Sequence, residues 1–219
     1  MYSFTEENYL KAIFKLSHRD GGEASTNSIA EELQTKAASV TDMLRKLAEK
    51  GLINYEKYKG VTLTAAGRHV AVSTIRKHRL WEVFLCNNLN FRWDEVHEVA
   101  EQLEHINSDL LIDRLDEFLG RPKTDPHGDP IPNKKGEFPK EIQISVTDAK
   151  PGVKYTITGA SDENNAFLQY LNKLDIRLGL PFEVEELFDF DGSMTVKIAG
   201  RRSLQISKEV AQNLFVTKI

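Results

Sequence analysis

Residues 26–64 read TNSIAEELQTKAASVTDMLRKLAEKGLINYEKYKGVTLT, and their order of elements decides how the chain folds. Thr26 is the expected N-cap of a short helix whose Ile29, Ala30 and Leu33 face inward. A tight turn at Gln34–Lys36 opens a second helix, Ala37 to Lys50, with Val40, Met43, Leu44 and Leu47 as its apolar stripe. Gly51 stops that helix, since glycine takes the left-handed C′ conformation without strain. Two β-prone runs, Leu52–Lys57 and Val61–Thr64, then pair through Tyr58-Lys59-Gly60 as a hairpin. Helix, turn, helix and hairpin in this order predict a winged helix-turn-helix, whose second helix enters a DNA major groove while the hairpin lies along the backbone.

On the helix at 37–50 and its entry, the core does not use Lys36, Ala37, Ala38, Ser39, Thr41, Asp42, Arg45 and Lys46. The small residues at its start permit close approach to base edges, and Ser39 and Thr41 offer hydroxyls to bases or phosphates. Lys57, Tyr58 and Lys59 on the wing are expected phosphate contacts. A basic winged helix also serves as a protein-docking module in some chains. The expectation here is double-stranded DNA.

Upstream, Thr5 caps a helix over 5–18 with Tyr9, Ala12, Ile13 and Leu16 on one face. Downstream, Thr64 caps a long helix through about Asn87. Trp93 to Leu119 reads as two helices, one starting near Asp94 and one capped by Ser108, the latter presenting Leu111, Ile112, Leu115 and Leu119. That spare apolar surface suits dimerisation. Residues 121–140 hold five of the seven prolines and read as an extended crossover or linker, with His127 as a loop residue. Beyond Ile142, short β-like runs (Ile142–Val146, Val153–Ile157, Phe182–Leu187, Met194–Ala199, Ser203–Ile206, Phe215–Lys218) with one helix near Glu163–Leu174 predict a small barrel. The expected organisation is therefore mainly α with a small β part: a winged helix-turn-helix at 1–70, a helical domain at 71–140 that includes the linker at 121–140, and a β-rich domain at 141–219.

The helical domain carries His97-x-x-x-Glu101-x-x-Glu104-His105, preceded by His78-x-x-x-Glu82. At ~100° per residue, with His97 at zero, Glu101, Glu104 and His105 fall near ~40°, ~340° and ~80°, one face of a helix. His78 and Glu82 share a face as well. Imidazole with carboxylate suits Mn, Fe, Co, Ni or Zn. A solvated polar face is the plain alternative, because Val96, Val99, Leu103, Ile106 and Leu110 cluster on the opposite side. Three histidines among the carboxylates tip the reading toward a metal site.

The balance of 29 basic and 33 acidic residues argues against a uniformly basic binder, yet the charge is segregated. Residues 35–79 hold ten lysines and arginines against three acids, and residues 81–119 hold ten acids against two arginines. A polyanion-facing part followed by a cation-facing part is the simplest account. The single cysteine, Cys86, lies in an apolar stretch, excludes an intrachain disulfide and points to a reducing, cytoplasmic compartment. The N-terminus MYSFTEENYLKAIF does not read as a signal peptide, and no apolar run approaches the ~20 residues of a membrane span.

Several stretches together resemble the metal-dependent transcriptional repressors of the diphtheria-toxin-repressor and manganese-transport-regulator family. They are Glu7-Asn8-Tyr9-Leu10-Lys11-Ala12-Ile13, the run Ile53 to Thr64, Arg76-Lys77-His78-Arg79-Leu80, Glu104-His105, Pro126-His127-Gly128-Asp129-Pro130-Ile131-Pro132 and Asp175-Ile176-Arg177-Leu178-Gly179. The resemblance covers nearly the whole chain and implies an SH3-like C-terminal domain, a homodimer and a palindromic operator. It implies a primary metal site at Asn8, Glu101, Glu104 and His105, an ancillary site at His78, Glu82 and His97, and Glu163 as a further ligand from the C-terminal domain. Glu101 stands where the toxin-repressor branch has cysteine, which favours Mn²⁺ or Fe²⁺ as effector, with Zn²⁺, Co²⁺ or Ni²⁺ able to bind in vitro. Asn8 stands where the manganese branch has aspartate, and Lys11 where it has glutamate. The implied activity is metal-dependent repression of metal-uptake genes, with no catalytic step.

Two other classes bear comparison. A carboxylate-bridged metalloenzyme would carry Glu-x-x-His pairs, and no histidine here has a glutamate three residues before it. A winged-helix regulator sensing a non-metal ligand would leave the acidic face merely solvated.

Overall fold

The computed structural model describes residues 2–19, 21–56, 60–140, 143–161, 165–198 and 203–219. The chain forms two compact units, one of Met1–His78, Glu101–Ile112 and Pro132–Phe138, the other of Arg79–Ala100, Asp113–Ile131 and Pro139–Ile219.

In the first unit, α1 (Phe4–Arg19), α2 (Thr26–Glu32), α3 (Ala37–Glu49), β1 (Ile53–Tyr55), β2 (Val61–Leu63) and the start of α4 (Ala65–Leu89) follow the winged helix-turn-helix order. Leu10, Ile13, Leu16, Ile29, Val40, Leu44, Leu47 and Val61 form one fully buried core. The caps differ from the expectation by one or two residues. Ser25, not Thr26, caps α2 through a reciprocal pair with Ser28. Ser3 Oγ accepts the Glu6 N–H at 3.3 Å while the Ser3 N–H donates to Glu6 Oε2, so α1 starts before Thr5. In both cases the serine oxygen sits where it reaches the first-turn N–H groups, and the threonine has already become helical.

Gly51 does take φ +69° after α3. β1 and β2 pair antiparallel with Ile53 opposite Leu63 and Tyr55 opposite Val61, and Ala24 bridges Val61 on the other side. Thr64 Oγ accepts the Gly67 N–H at 3.1 Å and donates to Gly51 O at 2.8 Å, locking the hairpin to the start of α4. Gly67 is required there: a Cβ would lie 1.9 Å from the Leu52 carbonyl oxygen. The strap 132–138 packs Phe138 against Phe14 and receives an Arg76 hydrogen bond at Pro132 O.

The second unit contains the remainder of α4, parts of α5 (Val96–Leu103) and α6 (Asp109–Phe118), and the C-terminal sheet. Helix α5 stops at Leu103, so Glu104 and His105 occupy the turn after it and do not continue one helical face. The segment from Arg121 is not an extended linker up to Ile131. Asp125 Oδ1 accepts the N–H groups of His127 and Asp129, and Ile131 N–H bonds Lys123 O, which folds it into a compact turn.

Strands β3 (Ile144–Ser145), β4 (Lys154–Ala160), β5 (Pro181–Leu187), β6 (Met194–Ile198), β7 (Leu204–Ile206) and β8 (Leu214–Lys218) form one antiparallel sheet, ordered β3-β8-β4-β5-β6-β7. The expected barrel is an open SH3-like sheet among the described residues, because the outer strands β3 and β7 are only two and three residues long. Helix α7 (Asn165–Lys173) and an unanticipated short helix α8 (Lys208–Gln212), capped by Ser207, bury Leu168, Leu171 and Ala211 with Ile157, Phe182 and Val184.

Candidate metal centre and nucleic-acid surface

Helix α1 projects Glu7, Asn8 and Lys11 on one face at i, i+1 and i+4 spacing. Within the first unit Glu7 and Lys11 meet the end of α5 and the turn after it. His105 Nδ1 lies 2.6 Å from Glu7 Oε2, and its ring stacks on Phe4 with centroids 4.5 Å apart. Glu104, whose side chain is 0% exposed, receives Lys11 Nζ at 2.7 Å on Oε1 and His78 Nδ1 at 2.6 Å on Oε2. Glu101 Oε1 takes the same ammonium at 2.6 Å. One oxygen or nitrogen from each of His78, Glu101 and Glu104 lies within 4.8 Å of the others.

Asn8 Oδ1 is buried and accepts no hydrogen bond among the described residues. A buried acceptor of this kind is costly unless something donates to it or coordinates it. His78, Glu101 and Glu104, with His105 Nε2 3.8 Å from Glu104 Oε1, form a donor set that suits a first-row divalent cation. The residues fit the metal that the sequence anticipates.

A second cluster lies within the second unit. Glu82, Asp125 and His127 are all buried, and one ligand atom from each lies within 4.8 Å of the others. His127 Nε2 is 2.6 Å from the Trp93 carbonyl oxygen, which only accepts, so this nitrogen carries the proton. Nδ1 is thereby turned toward Glu82 Oε2, 3.7 Å away. Carbonyl-anchored imidazole is the arrangement that orients metal-binding histidines. Burial, with the carboxylates of Glu82 and Asp129 beside it, pushes the Asp125 carboxyl well above its usual range. Arg79 flanks the cluster, 3.5 Å from Asp125 and 2.9 Å from Asp129.

His127 lies in a loop, as expected, yet is only 1% exposed, because the Asp125 turn folds it inward. Asp125 was not anticipated at all; the Asp-x-His pair ahead of Gly128 was the available signal. Of the ancillary residues, His97 Nδ1 lies 3.7 Å from Glu82 Oε1 with its side chain 46% exposed, and His78 precedes Glu82 by one turn of α4. Glu163 lies outside the described residues.

On α3, Lys36, Ala37, Ala38, Ser39, Asp42, Arg45 and Lys46 are exposed and Thr41 is half-buried. The Thr41 hydroxyl donates to Ala37 O, and Arg45 pairs loosely with Asp42. Lys57, Tyr58 and Lys59 lie outside the described residues.

Comparison with known proteins agrees with this layout. Residues 1–61 match the iron dependent repressor N-terminal DNA binding domain, residues 64–133 the iron dependent repressor metal binding and dimerisation domain, and residues 144–218 the FeoA domain. The iron-dependent repressor IdeR of Mycobacterium leprae is 34% identical over 128 residues, 58% of this chain and 55% of that protein, so the chain spans about half the length of this curated relative. A manganese-dependent transcriptional repressor in complex with manganese is 36% identical, with a TM-score of 0.90 over 98% of this chain and 100% of that one. ScaR with bound Zn²⁺ is 33% identical, with a TM-score of 0.81 over 98% and 99%. A winged DNA-binding fold with a carboxylate–imidazole centre defines a class of metal-responsive regulators. The chain belongs to the metal-dependent transcriptional repressors of the diphtheria-toxin-repressor and manganese-transport-regulator family.

Proposed function

We propose that this chain is a cytoplasmic, homodimeric repressor that binds a palindromic DNA operator when Mn²⁺ or Fe²⁺ is bound, and so limits expression of metal-uptake genes. The observation that carries the reading is the convergence of α1, through Glu7 and Lys11, on Glu101, Glu104 and His105. α1 also packs into the core of the winged helix-turn-helix through Leu10, Ile13 and Leu16, so whatever fixes α1 fixes the posture of α3.

Asn8, His78, Glu101, Glu104 and His105 would hold the first ion; Glu82, Asp125 and His127 would hold a second, with His97 beside them and Glu163 as a further ligand. A divalent cation would supply two positive charges to these carboxylates. The chain's own part is to present them: α1 brings the amide oxygen, the turn after α5 brings Glu104 and His105, and α4 brings His78. On the DNA side, Lys36, Ser39, Thr41, Arg45 and Lys46, with the small Ala37 and Ala38 and with Asp42, would face the major groove, and Lys57, Tyr58 and Lys59 would follow the backbone.

The test is selection of duplexes from a random pool in Mn²⁺, followed by titration of the selected operator with Mn²⁺, with Fe²⁺ and with chelator. Metal should tighten binding by roughly 5–150-fold, the range of typical allosteric coupling. Equal affinity with chelator would refute the proposal.

A further inference from the structure

Lys11 lies one turn beyond Glu7 on α1, its side chain 17% exposed. Its ammonium is 2.6 Å from Glu101 Oε1 and 2.7 and 2.8 Å from the two oxygens of Glu104. An ammonium has three protons to donate, and these three oxygens account for all of them. Glu104 is fully shielded from solvent, and its Oε2 also takes His78. A single lysine therefore engages the carboxylates that the first ion needs.

We propose that Lys11 is a tethered internal counter-ion that sets the metal threshold of the first cluster. It offsets one of the two negative charges of Glu101 and Glu104 when no ion is bound and must let go of at least one of their oxygens when an ion enters. The inference rests on the first cluster being a metal site. A first-row divalent ion draws carboxylate oxygens to about 2.0–2.2 Å. Were the ammonium to keep the same oxygens at its present distances, two cations would lie within about 5 Å of each other around a buried carboxylate, where water screens them poorly. Exchange is the only arrangement that avoids this. Lysine is suited to it, because a flexible four-carbon stem lets a well-hydrated ammonium leave toward solvent, and it makes no fixed two-pronged grip as arginine does.

The consequence is a protein that stays ordered without metal and responds only once the free ion outcompetes its own side chain. Where the ammonium leaves altogether, the entering divalent ion displaces one positive charge, so the cluster gains one net charge where it would otherwise gain two.

The experiment measures Mn²⁺ affinity of the full chain from the electron paramagnetic resonance signal of free Mn²⁺, with thermal melting of the metal-free protein alongside. Glu104→Gln defines which binding class belongs to the first cluster. For that class, Lys11→Met should bind Mn²⁺ roughly tenfold tighter or more, since a competing charge is gone, and should melt at a lower temperature without metal. Lys11→Arg keeps the charge and should bind no tighter than the parent. Lys11→Met binding with unchanged or weaker affinity, while Glu104→Gln removes the class, would overturn the counter-ion role and leave the metal site standing. Unchanged binding by Glu104→Gln would overturn both.

Discussion

Asn8 holds a buried amide oxygen with no donor among the described residues, on the same face of α1 as the Lys11 that reaches Glu101 and Glu104. Its place on α1 was readable from the sequence; its lack of a partner was not, because that depends on which side chains crowd around it in three dimensions. His127 shows the opposite limit. Proline density made its segment look extended, and the Asp125 turn that buries it involves backbone N–H groups that no spacing rule reveals. Its anchoring carbonyl belongs to Trp93, whose indole N–H donates to Asn172 Oδ1 at 2.7 Å. Mn²⁺ binding at the second cluster should therefore alter Trp93 fluorescence, and Asp125→Asn should abolish that change; an identical response in the variant would count against the second site. Cys86 gives a pH prediction. Burial first, then the charges of Glu82, Asp125 and Glu95, push its thiol up to about 11. A raised pKa keeps the thiol protonated through neutral pH, leaving about one in a thousand ionised at pH 8. Iodoacetamide should label it roughly a hundredfold more slowly than a free cysteine at that pH.

Among the elements, apolar periodicity located α1 and α3 well, since each has a face that must be buried, whereas the long α4 was marked by its Thr64 cap. It failed at α8, which is too short for a stripe, and at the end of α5, where Glu104 and His105 leave the helix to meet α1. Gly67 supplies a stability test. An alanine inside a helix usually gains stability over glycine, but a Cβ here would meet the Leu52 carbonyl at 1.9 Å. Gly67→Ala should destabilise by about 1–3 kcal/mol, as overpacking does, read from urea unfolding. At the start of α1, the Lys50 ammonium holds the Glu6 carboxyl below its ordinary 4.5, partly offset by burial. A lowered carboxyl pKa stabilises the fold above the unfolded value and loses that effect as pH falls through the folded one. Lys50→Met should thus melt lower than the parent at neutral pH, with the gap closing below about pH 4 and narrowing in high salt.

For the whole molecule, the charge split between residues 35–79 and 81–119 announced two tasks before any fold was known, and the order of elements announced the winged helix-turn-helix. What stayed hidden was closure of the C-terminal strands, because pairing at the sheet edge depends on strand length and not on alternation. Helix α6 leaves Leu110 at 65% and Phe118 at 67% exposure, a surface fit for the proposed dimer. Leu110→Asp should shift sedimentation toward monomer and weaken operator binding, with metal affinity of the first cluster retained.

Gly128 links the sheet to the second cluster in a way that has evolutionary weight. It sits at φ +90°, where a Cβ would lie 1.9 Å from Thr158 O, while Ala160 N–H bonds His127 O and Gln143 reaches Gly128 O. The loop bearing two proposed ligands is thus hung from β4 by main-chain contacts and by the Gln143 amide that joins Gly128 O to Thr158 O. Drift in that strand would be felt as altered ion stoichiometry, so natural selection on metal sensing would police a sheet whose own side chains touch no cation.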